Sequence, residues 1–333
     1  MRSGRPAYMP VLILALLMAL VGSSAVAADS GKDSRPPGQA NGGDMPAAFG
    51  AWERVMVQTW TYDEPDGRRR LRLSAWNTWL SVVETRQVGE TVWARVGSGE
   101  WLDYDDLSAF PITGLRGYQA PRNEPGGLGF IIDPETATYD APNTNGAMAA
   151  TLDRYTPVAL LGTDAGWWRI GPGQWVNPAY VREVQRVARP ADVGPSDKWI
   201  DVNLTQQTVA AYEGDRLVFA TLMSSGKDPT PTKEGLFYIY EKKIGEFMAG
   251  GWQDQDPYWL EEVPWTMYFS ASYALHGAYW HDKFGDVLSH GCVNLSPDDA
   301  KFLFTWSGPV VSPDKNRVLA SPDNLGTWVY VHP

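Results

Sequence analysis

The chain has 333 residues and a formal net charge of −11, and it contains 33 glycines, 25 prolines, 16 tryptophans and 15 tyrosines. This acidity argues against a nucleic-acid-binding protein, because the chain offers no excess of cations to neutralise phosphates. Frequent turn residues between short aromatic, alternating runs favour a mostly β protein.

Residues 1–27 have the three parts of a secretory signal peptide. Arg2 and Arg5 give a positive start, residues 11–21 an apolar middle, and residues 25–27 a small-residue cleavage site. The apolar run is too short to span a bilayer comfortably. We therefore predict an exported protein, in the cell wall, the periplasm or the extracellular space, with no transmembrane anchor after cleavage.

Residues 28–48 are small, polar and rich in glycine and proline, so we predict a flexible linker there. An internal repeat follows, and its second copy lies 77 and 74 residues downstream at two matching stretches. The matching stretches are residues 61–65 and 93–102 in the first copy, and residues 138–142 and 167–176 in the second. The Gly-x-Gly-polar-Trp-apolar ending of each copy resembles bacterial SH3-type domains. That resemblance implies two small SH3-like β-barrels, at residues 49–115 and 116–190.

A last domain is predicted at residues 197–333. Its strands are indicated by alternating apolar residues, and they are expected at 199–204, 208–212, 217–223, 236–240 and 327–331. A single helix is expected after Ser296, which can cap it, with Pro297 at its first position. Its buried face would consist of Ala300, Leu303, Phe304 and Trp306. The segment from residue 307 to 324 is longer than a plain connection, and the sequence leaves open whether it is a lid or an excursion.

Cys292 is the only cysteine of the chain. Exported proteins normally pair their cysteines in disulfides, so a single thiol close to histidines indicates a nucleophile or a metal ligand. An inert, buried cysteine is the alternative. All four histidines lie towards the C-terminal end: His276, His281, His290 and His332.

The nucleophile interpretation needs a histidine that takes the proton of Cys292 and then stabilises the thiolate as an ion pair. His276 is the better candidate, because the base must approach from a neighbouring strand, and His290 is given a supporting role. The backbone carbonyl of Gly277 could fix the tautomer of His276. The amides of Gly291 and Cys292 could converge on a developing oxyanion.

A zinc site is the competing interpretation, with His276, His290 and Cys292 as ligands and His281 as a further candidate. The usual pair of histidines four residues apart on a helix is absent from this sequence. We therefore predict no metal, and we expect His281 and His332 to be solvent-exposed.

Residues 289–294, with the sequence SHGCVN, follow His276-Gly277 and Gly285. This combination resembles the signature of the L,D-transpeptidase (YkuD-like) catalytic domain, and the resemblance extends over residues 197–331. It implies a β-sandwich in which Cys292 is the acylated nucleophile and His276 the general base. Around them the resemblance and the sequence positions place Ser289, His290, Gly291 and Gly277 as supporting residues, Asn294 in the substrate site, and Tyr268 and Trp280 as pocket walls.

The activity that this resemblance implies is cofactor-independent acyl transfer between peptidoglycan stem peptides, which forms cross-links at the amine of a diamino acid. Carbapenem-type β-lactams are expected to acylate the cysteine. Two alternatives stay open: an L,D-carboxypeptidase that trims stems, and a noncatalytic protein that binds the cell wall.

Overall fold

The computed structural model describes residues 51–333, apart from residues 74, 76–77, 110–112, 123–125 and 252–255. The predicted signal peptide and linker lie outside the described residues. Strands make up 51% of the structure and helices 6%, which confirms the prediction of a mostly β protein. Within the described part of the chain, no helix is long and apolar enough to cross a membrane.

The first repeat forms seven strands and a short 3₁₀ helix, Tyr104–Asp106, before the last strand. The strands are β1 (Ala51–Val55), β2 (Thr59–Tyr62), β3 (Arg69–Leu73), β4 (Thr78–Val88), β5 (Thr91–Val96), β6 (Trp101–Asp103) and β7 (Leu107–Ala109).

The second repeat forms nine strands and an equivalent 3₁₀ helix, Pro178–Tyr180. The strands are β8 (Tyr118–Gln119), β9 (Gly127–Ile131), β10 (Thr136–Tyr139), β11 (Met148–Leu152), β12 (Pro157–Leu160), β13 (Thr163–Asp164), β14 (Trp167–Gly171), β15 (Gln174–Val176) and β16 (Val181–Val184).

The two repeats share strand registers as well as sequence. The last glycine of each Gly-x-Gly turn has a positive φ, +88° at Gly99 and +60° at Gly173, which is the conformation that favours glycine. The strands on either side then pair in the same way in both copies, Tyr62 with Trp101 and Tyr139 with Trp175. The repeated sequence therefore encodes a repeated hairpin.

The two repeats do not close into barrels, and this corrects the expectation for residues 49–115 and 116–190. Strands of the first repeat belong to a 12-stranded open sheet, and those of the second form a five-stranded and a three-stranded sheet, while β8 pairs elsewhere. Closure is unnecessary because apolar side chains at these sheets are covered by other parts of the chain. Trp79 of β4, for example, packs with Leu260, Val263 and Tyr279.

The C-terminal region contains ten strands and the only α-helix of the described residues, α1 (Pro297–Trp306). The strands are β17 (Lys198–Asn203), β18 (Thr208–Glu213), β19 (Arg216–Leu222), β20 (Gly235–Tyr238), β21 (Glu241–Gly250), β22 (Tyr258–Ser270), β23 (Tyr273–Gly277), β24 (Val293–Leu295), β25 (Arg317–Leu319) and β26 (Trp328–His332). The five strands predicted from alternation are present, with ends that differ by at most two residues.

These strands form a β-sandwich, as the resemblance implied. One sheet has the order β20-β26-β17-β18-β19-β8, and the other contains β21 to β25. A single apolar core joins them, with Ile200 and Val209 from the first sheet, Met267 and Leu275 from the second, and Leu303 from α1. Burial of these side chains holds the two layers together.

The helix α1 begins where the sequence predicts. The Ser296 side chain accepts a hydrogen bond from the Asp299 amide at 3.2 Å, and Pro297 occupies the first turn. Ala300, Leu303 and Phe304 are buried, whereas Trp306 is only partly buried. The helix thus presents its apolar face to the core of the sandwich.

The segment from residue 307 to 324 is an excursion rather than a lid. Its strand β25 pairs with the edge of β21, with Val318 opposite Lys242. The segment therefore extends the second sheet.

The first repeat is joined to the sandwich by backbone pairing. Strand β4 runs parallel to β22, with Thr78 opposite Trp259 and Trp79 opposite Leu260. Since β22 also pairs with β21 and β23, the repeat continues the sheet that carries the candidate site.

We predict that Ser296→Ala lowers the free energy of unfolding by about 1 kcal/mol, because the first turn of α1 loses its side-chain acceptor. Urea unfolding followed by circular dichroism measures this. Thr305→Ala is the matched control, since Thr305 is an exposed residue in the last turn of the same helix. Equal stability of the two variants would contradict the capping role.

Candidate active site

Parallel pairing of β23 and β24 brings Cys292 and His276 to one face of the sheet. Leu275 lies opposite Val293, and both side chains are buried in the core of the sandwich. Side chains alternate along a strand, so Cys292 and His276 point away from that core. Both line a cavity of about 800 Å³.

The His276 ring is buried and held in one tautomer. Its Nδ1 lies 3.1 Å from the carbonyl oxygen of Gly277, the contact predicted from the sequence. Nδ1 therefore carries the proton and donates it to the carbonyl, and Nε2 is left as the acceptor. Burial lowers the pKa of His276 to about 4, against a smaller raising effect of the Gly277 carbonyl. The ring is a neutral base at neutral pH.

Cys292 is a thiol in the resting site. Its Sγ lies 3.6 Å from the carbonyl oxygen of Ser272. Burial raises the pKa of Cys292 to about 11, while the backbone N–H of Ala274 lowers it to a smaller extent. The thiolate–imidazolium pair expected from the sequence is therefore not the resting state, because burial opposes both charges.

The loop before Cys292 is held by Ser289. Its hydroxyl donates to the Cys292 carbonyl at 2.5 Å and accepts from the Gly291 amide at 3.1 Å. Gly291 has φ +123°, and a Cβ there would lie 2.9 Å from the ring of Tyr273. Only glycine suits this position. The Gly291 amide, which the sequence assigned to an oxyanion, is thus occupied by Ser289 in this structure.

His290 faces an acid–base cluster that sequence reasoning missed. Its Nε2 lies 3.2 Å from Oδ2 of Asp256, and its ring packs against Tyr258 with centroids 5.0 Å apart. The same Asp256 oxygen accepts a hydrogen bond from Nζ of Lys227 at 2.8 Å. These residues lie on three separate segments of the chain, so no local pattern connects them.

His281 is buried, and the prediction that it is solvent-exposed is wrong. Its ring packs against Phe284, which is fully buried, with centroids 4.8 Å apart. Nδ1 accepts a hydrogen bond from the Lys283 amide, so the proton of the neutral ring is on Nε2. Nδ2 of Asn294 lies 3.0 Å from Nε2. A hydrogen bond from a protonated Nε2 requires this amide to be rotated so that its oxygen takes the place of Nδ2. His281 and Asn294 both line the cavity.

His332 was also expected to be solvent-exposed, but in the structure it is partly buried and hydrogen-bonded. Its Nε2 lies 2.9 Å from Oδ1 of Asp201, a buried carboxyl on β17. The hydrogen bond to Asp201 raises the pKa of His332, against the opposing effect of its own burial. This pair joins β17 and β26 and does not line the cavity.

The two residues expected as pocket walls behave differently. Trp280 lines the cavity, and its ring centroid lies 5.7 Å from that of His276. Tyr268 is not among the described residues that line the cavity, and its ring packs instead near Tyr240 and the ammonium group of Lys243. Its position on β22 explains the difference, because Tyr258 and Leu260 are the residues of that strand that reach the cavity.

The zinc interpretation requires His276, His290 and Cys292 to converge on one point. Among the residues that the structure describes, no three His, Cys, Asp or Glu side chains are grouped so that they could hold a metal ion. His290 is directed to Asp256 and His281 to Asn294 instead.

The first repeat lines the cavity and the second repeat supports one of its lining residues, which the sequence gave no reason to expect. Arg54 of β1 and Asp282 of the C-terminal region are among its lining residues. Asp282 is held by the second repeat: Arg154 donates to its backbone carbonyl at 2.8 Å and the Tyr155 hydroxyl to its Oδ1 at 2.9 Å. The described walls of the site thus come from the first repeat and the C-terminal region, and the second repeat holds Asp282 in place.

Comparison with known proteins agrees with this geometry. Residues 197–331 match the family model described as the L,D-transpeptidase catalytic domain, YkuD. The putative L,D-transpeptidase YciB of Bacillus subtilis (strain 168) is 29% identical over 126 residues, which cover 34% of this chain and 62% of that protein. The chain therefore matches less than two thirds of the length of this relative. The family model, this relative and the site geometry thus agree that residues 197–331 match the L,D-transpeptidase catalytic domain family.

Similar solved structures include two L,D-transpeptidases. The catalytic domain of the Enterococcus faecium L,D-transpeptidase, acylated by ertapenem, is 29% identical and has a TM-score of 0.32, with 41% of this chain and 98% of that chain covered. An L,D-transpeptidase from Mycobacterium smegmatis is 16% identical and has a TM-score of 0.34, with 76% of this chain and 99% of that chain covered.

We predict that Cys292 reacts with iodoacetamide at pH 7.5 at least about tenfold more slowly than an ordinary cysteine, whose pKa is about 8.5. Burial raises the pKa of Cys292 to about 11, so the thiolate fraction is small at this pH and the rate should still increase above pH 10. The rate is measured by intact-protein mass spectrometry.

The control is an exposed cysteine, made by Ser312→Cys in a Cys292→Ala background. A Cys292 rate that is already constant below pH 8 would show that the resting site holds an ion pair instead.

Proposed function

We propose that this protein is an exported peptidoglycan L,D-transpeptidase that forms cross-links by acyl transfer through Cys292. The observation that carries the proposal is the position of the only cysteine on the same face as His276, in a cavity of about 800 Å³ within an L,D-transpeptidase catalytic domain. The unprotonated Nε2 of His276 gives the thiol a proton acceptor without a cofactor.

In the first step, Nε2 of His276 takes the thiol proton while Sγ bonds to the carbonyl carbon of the third residue of a tetrapeptide stem. The tetrahedral intermediate collapses, the bond to the terminal D-alanine breaks, and the leaving amine takes the proton from His276. A thioester on Cys292 remains. Since burial disfavours both charges, proton transfer accompanies the attack instead of preceding it.

In the second step, the side-chain amine of a diamino acid on another stem attacks the thioester. His276 accepts a proton from this amine and returns it to the departing sulfur, which restores the thiol. Water in place of the amine would give an L,D-carboxypeptidase, so exclusion of water decides between the two activities. We assign the exclusion of water to Trp280 and Tyr258, which line the cavity.

Charge on the cavity walls suits an anionic peptide. The described lining includes the cations Arg54, Lys227 and Lys283 and the anions Asp256 and Asp282, although the whole chain has a net charge of −11. Lys227 is paired with Asp256, which leaves Arg54 and Lys283 as the cations available to a ligand. We assign these cations to the carboxylates of the stem peptide, which are otherwise repelled by the protein. The first repeat, which contributes Arg54, would then take part in substrate binding as well as in localisation at the wall.

Export rests on the signal-like pattern of residues 1–27, and the SH3-like nature of the two repeats rests on their turn motif. A noncatalytic wall-binding role is disfavoured by the arrangement of Cys292, His276 and Ser289, because a binding module needs neither a polarised imidazole nor an oriented thiol.

We predict that the purified protein converts disaccharide-tetrapeptides into cross-linked dimers with loss of D-alanine, and that Cys292→Ala and His276→Gln each lower the rate by about 100-fold or more. Chromatography with mass spectrometry measures the products, and Thr305→Ala serves as a control outside the cavity. Tripeptides without dimers would establish the carboxypeptidase instead. No D-alanine release, together with no mass adduct after incubation with ertapenem, would contradict an acylating cysteine.

We predict that Arg54→Gln raises the KM for the donor stem by about tenfold and changes kcat by less than about threefold, because the side chain contacts substrate and not the reacting atoms. Steady-state kinetics at low salt measures this. Arg69→Gln is the matched control, since Arg69 is an exposed arginine of the same repeat. An equal effect of the two substitutions would show that only the net charge matters.

A further inference from the structure

A second cavity lies on the opposite side of the β21–β22 hairpin from Cys292. Alternation along β22 sends Tyr258 and Leu260 to the candidate active site, and Trp259 and Glu261 to this second cavity, which has a volume of about 550 Å³. Its opposite wall is the Gly97-Ser98 turn of the first repeat. The proposed transpeptidase chemistry does not use this space.

Two carboxyl groups of this cavity have no ion-pair partner among the residues that the structure describes. Glu261 is only 9% exposed, and its Oε2 has no hydrogen-bond partner among the described residues; the same holds for Oε2 of Glu262. A third acid of the cavity, Glu246, is paired with Lys243. The backbone amides of Ser81 and Gly97 hydrogen-bond to the Glu261 carboxyl group. A buried carboxylate without a cation beside it is still costly, so the pair of Glu261 and Glu262 is suited to a positive ligand.

Burial raises the pKa of Glu261 to about 7, and the negative charge of Glu262 adds to this, against the lowering effect of the backbone amides of Ser81 and Gly97. An ordinary glutamate has a pKa of about 4.3. A bound cation would stabilise the ionised form of Glu261 and would offset the unfavourable burial of its negative charge.

The geometry around Gly97 defines where the cation fits. An atom at the position of a Cβ on Gly97 would lie 3.2 Å from Oε1 of Glu262 and 3.5 Å from Oε2 of Glu261. Because residue 97 is glycine, this position is open. The two carboxyl groups therefore flank the space beside the Cα of Gly97, and an ammonium group in van der Waals contact with that Cα would lie close to both of them.

The remaining wall is apolar. The rings of Phe247 and Trp259 meet edge to face with centroids 4.7 Å apart, and 48% of Phe247 is exposed. Ile244 lines the same cavity. Aromatic faces beside carboxylates suit an ammonium group on an aliphatic stem, whereas a bare metal ion would leave the aromatic wall unused.

We propose that this cavity is a binding site for a primary ammonium group on a short aliphatic stem, held between Gly97, Glu261 and Glu262 with its stem against Phe247 and Trp259. Such a group is carried by the side chain of a lysine-type diamino acid and by free aliphatic diamines. The site lies on the other side of the hairpin from Cys292, so the bound amine is not the acceptor of acyl transfer. The proposal does not depend on the catalytic activity of the protein.

Isothermal titration calorimetry at pH 7.5 and low salt tests the proposal with two probes, 1,5-diaminopentane and Nα-acetyl-L-lysine amide, with n-pentanol as the neutral analogue. We expect saturable binding of at least one ammonium probe and none of n-pentanol. Preference for the lysine amide would indicate a peptide source, and preference for the diamine a free one.

Two variants identify the site. Gly97→Ala puts a methyl group into the space between the two carboxyl groups, and Glu262→Gln removes one charge; each should weaken binding by about tenfold or more. Gly114→Ala is the matched control, because a Cβ at Gly114 meets no atom within 4 Å. Thermal unfolding confirms that the variants are folded. The proposal is overturned if neither ammonium probe binds, if n-pentanol binds equally well, or if binding survives both substitutions in folded protein.

Discussion

The parallel pairing of β23 with β24 is the constraint on which the candidate site depends. With Leu275 opposite Val293, the neighbouring Cys292 and His276 must share the face that is turned away from the core. A shift of one residue in this register would turn one of them into the apolar layer and separate the thiol from its base. The register of this pairing is stabilised by the core of the sandwich, in which Leu275 and Val293 are fully buried.

The burial that secures this geometry also determines the charge state of the site. It lowers the pKa of His276 and raises that of Cys292, so the resting protein holds a neutral imidazole and a neutral thiol. A lone thiol that is not ionised reacts slowly with oxidants and stray electrophiles. The arrangement therefore protects the only cysteine of the chain. Ser289 contributes by fixing the loop through the Gly291 amide and the Cys292 carbonyl.

Local signals predicted local structure well. Ser296 and Pro297 marked the start of α1 because capping involves only neighbouring residues, and the SHGC segment located the cysteine because its turn geometry is encoded within a few positions. His281 was misjudged because its burial depends on how the chain folds back over Phe284. Arg54 was missed because 238 residues separate it from Cys292, and nothing in its surroundings indicates the cavity that it lines. Barrel closure was overestimated because the repeats share their apolar faces with the rest of the molecule.

The parallel contact between β4 and β22 has a further consequence for how this architecture could evolve. The contact uses backbone groups of Trp259 and Leu260 that would otherwise form an open sheet margin. If the first repeat were removed, this edge of β22 would be exposed and could pair with extended segments of other chains. Replacement of the first repeat would therefore require another strand to pair with Trp259 and Leu260 at the same place.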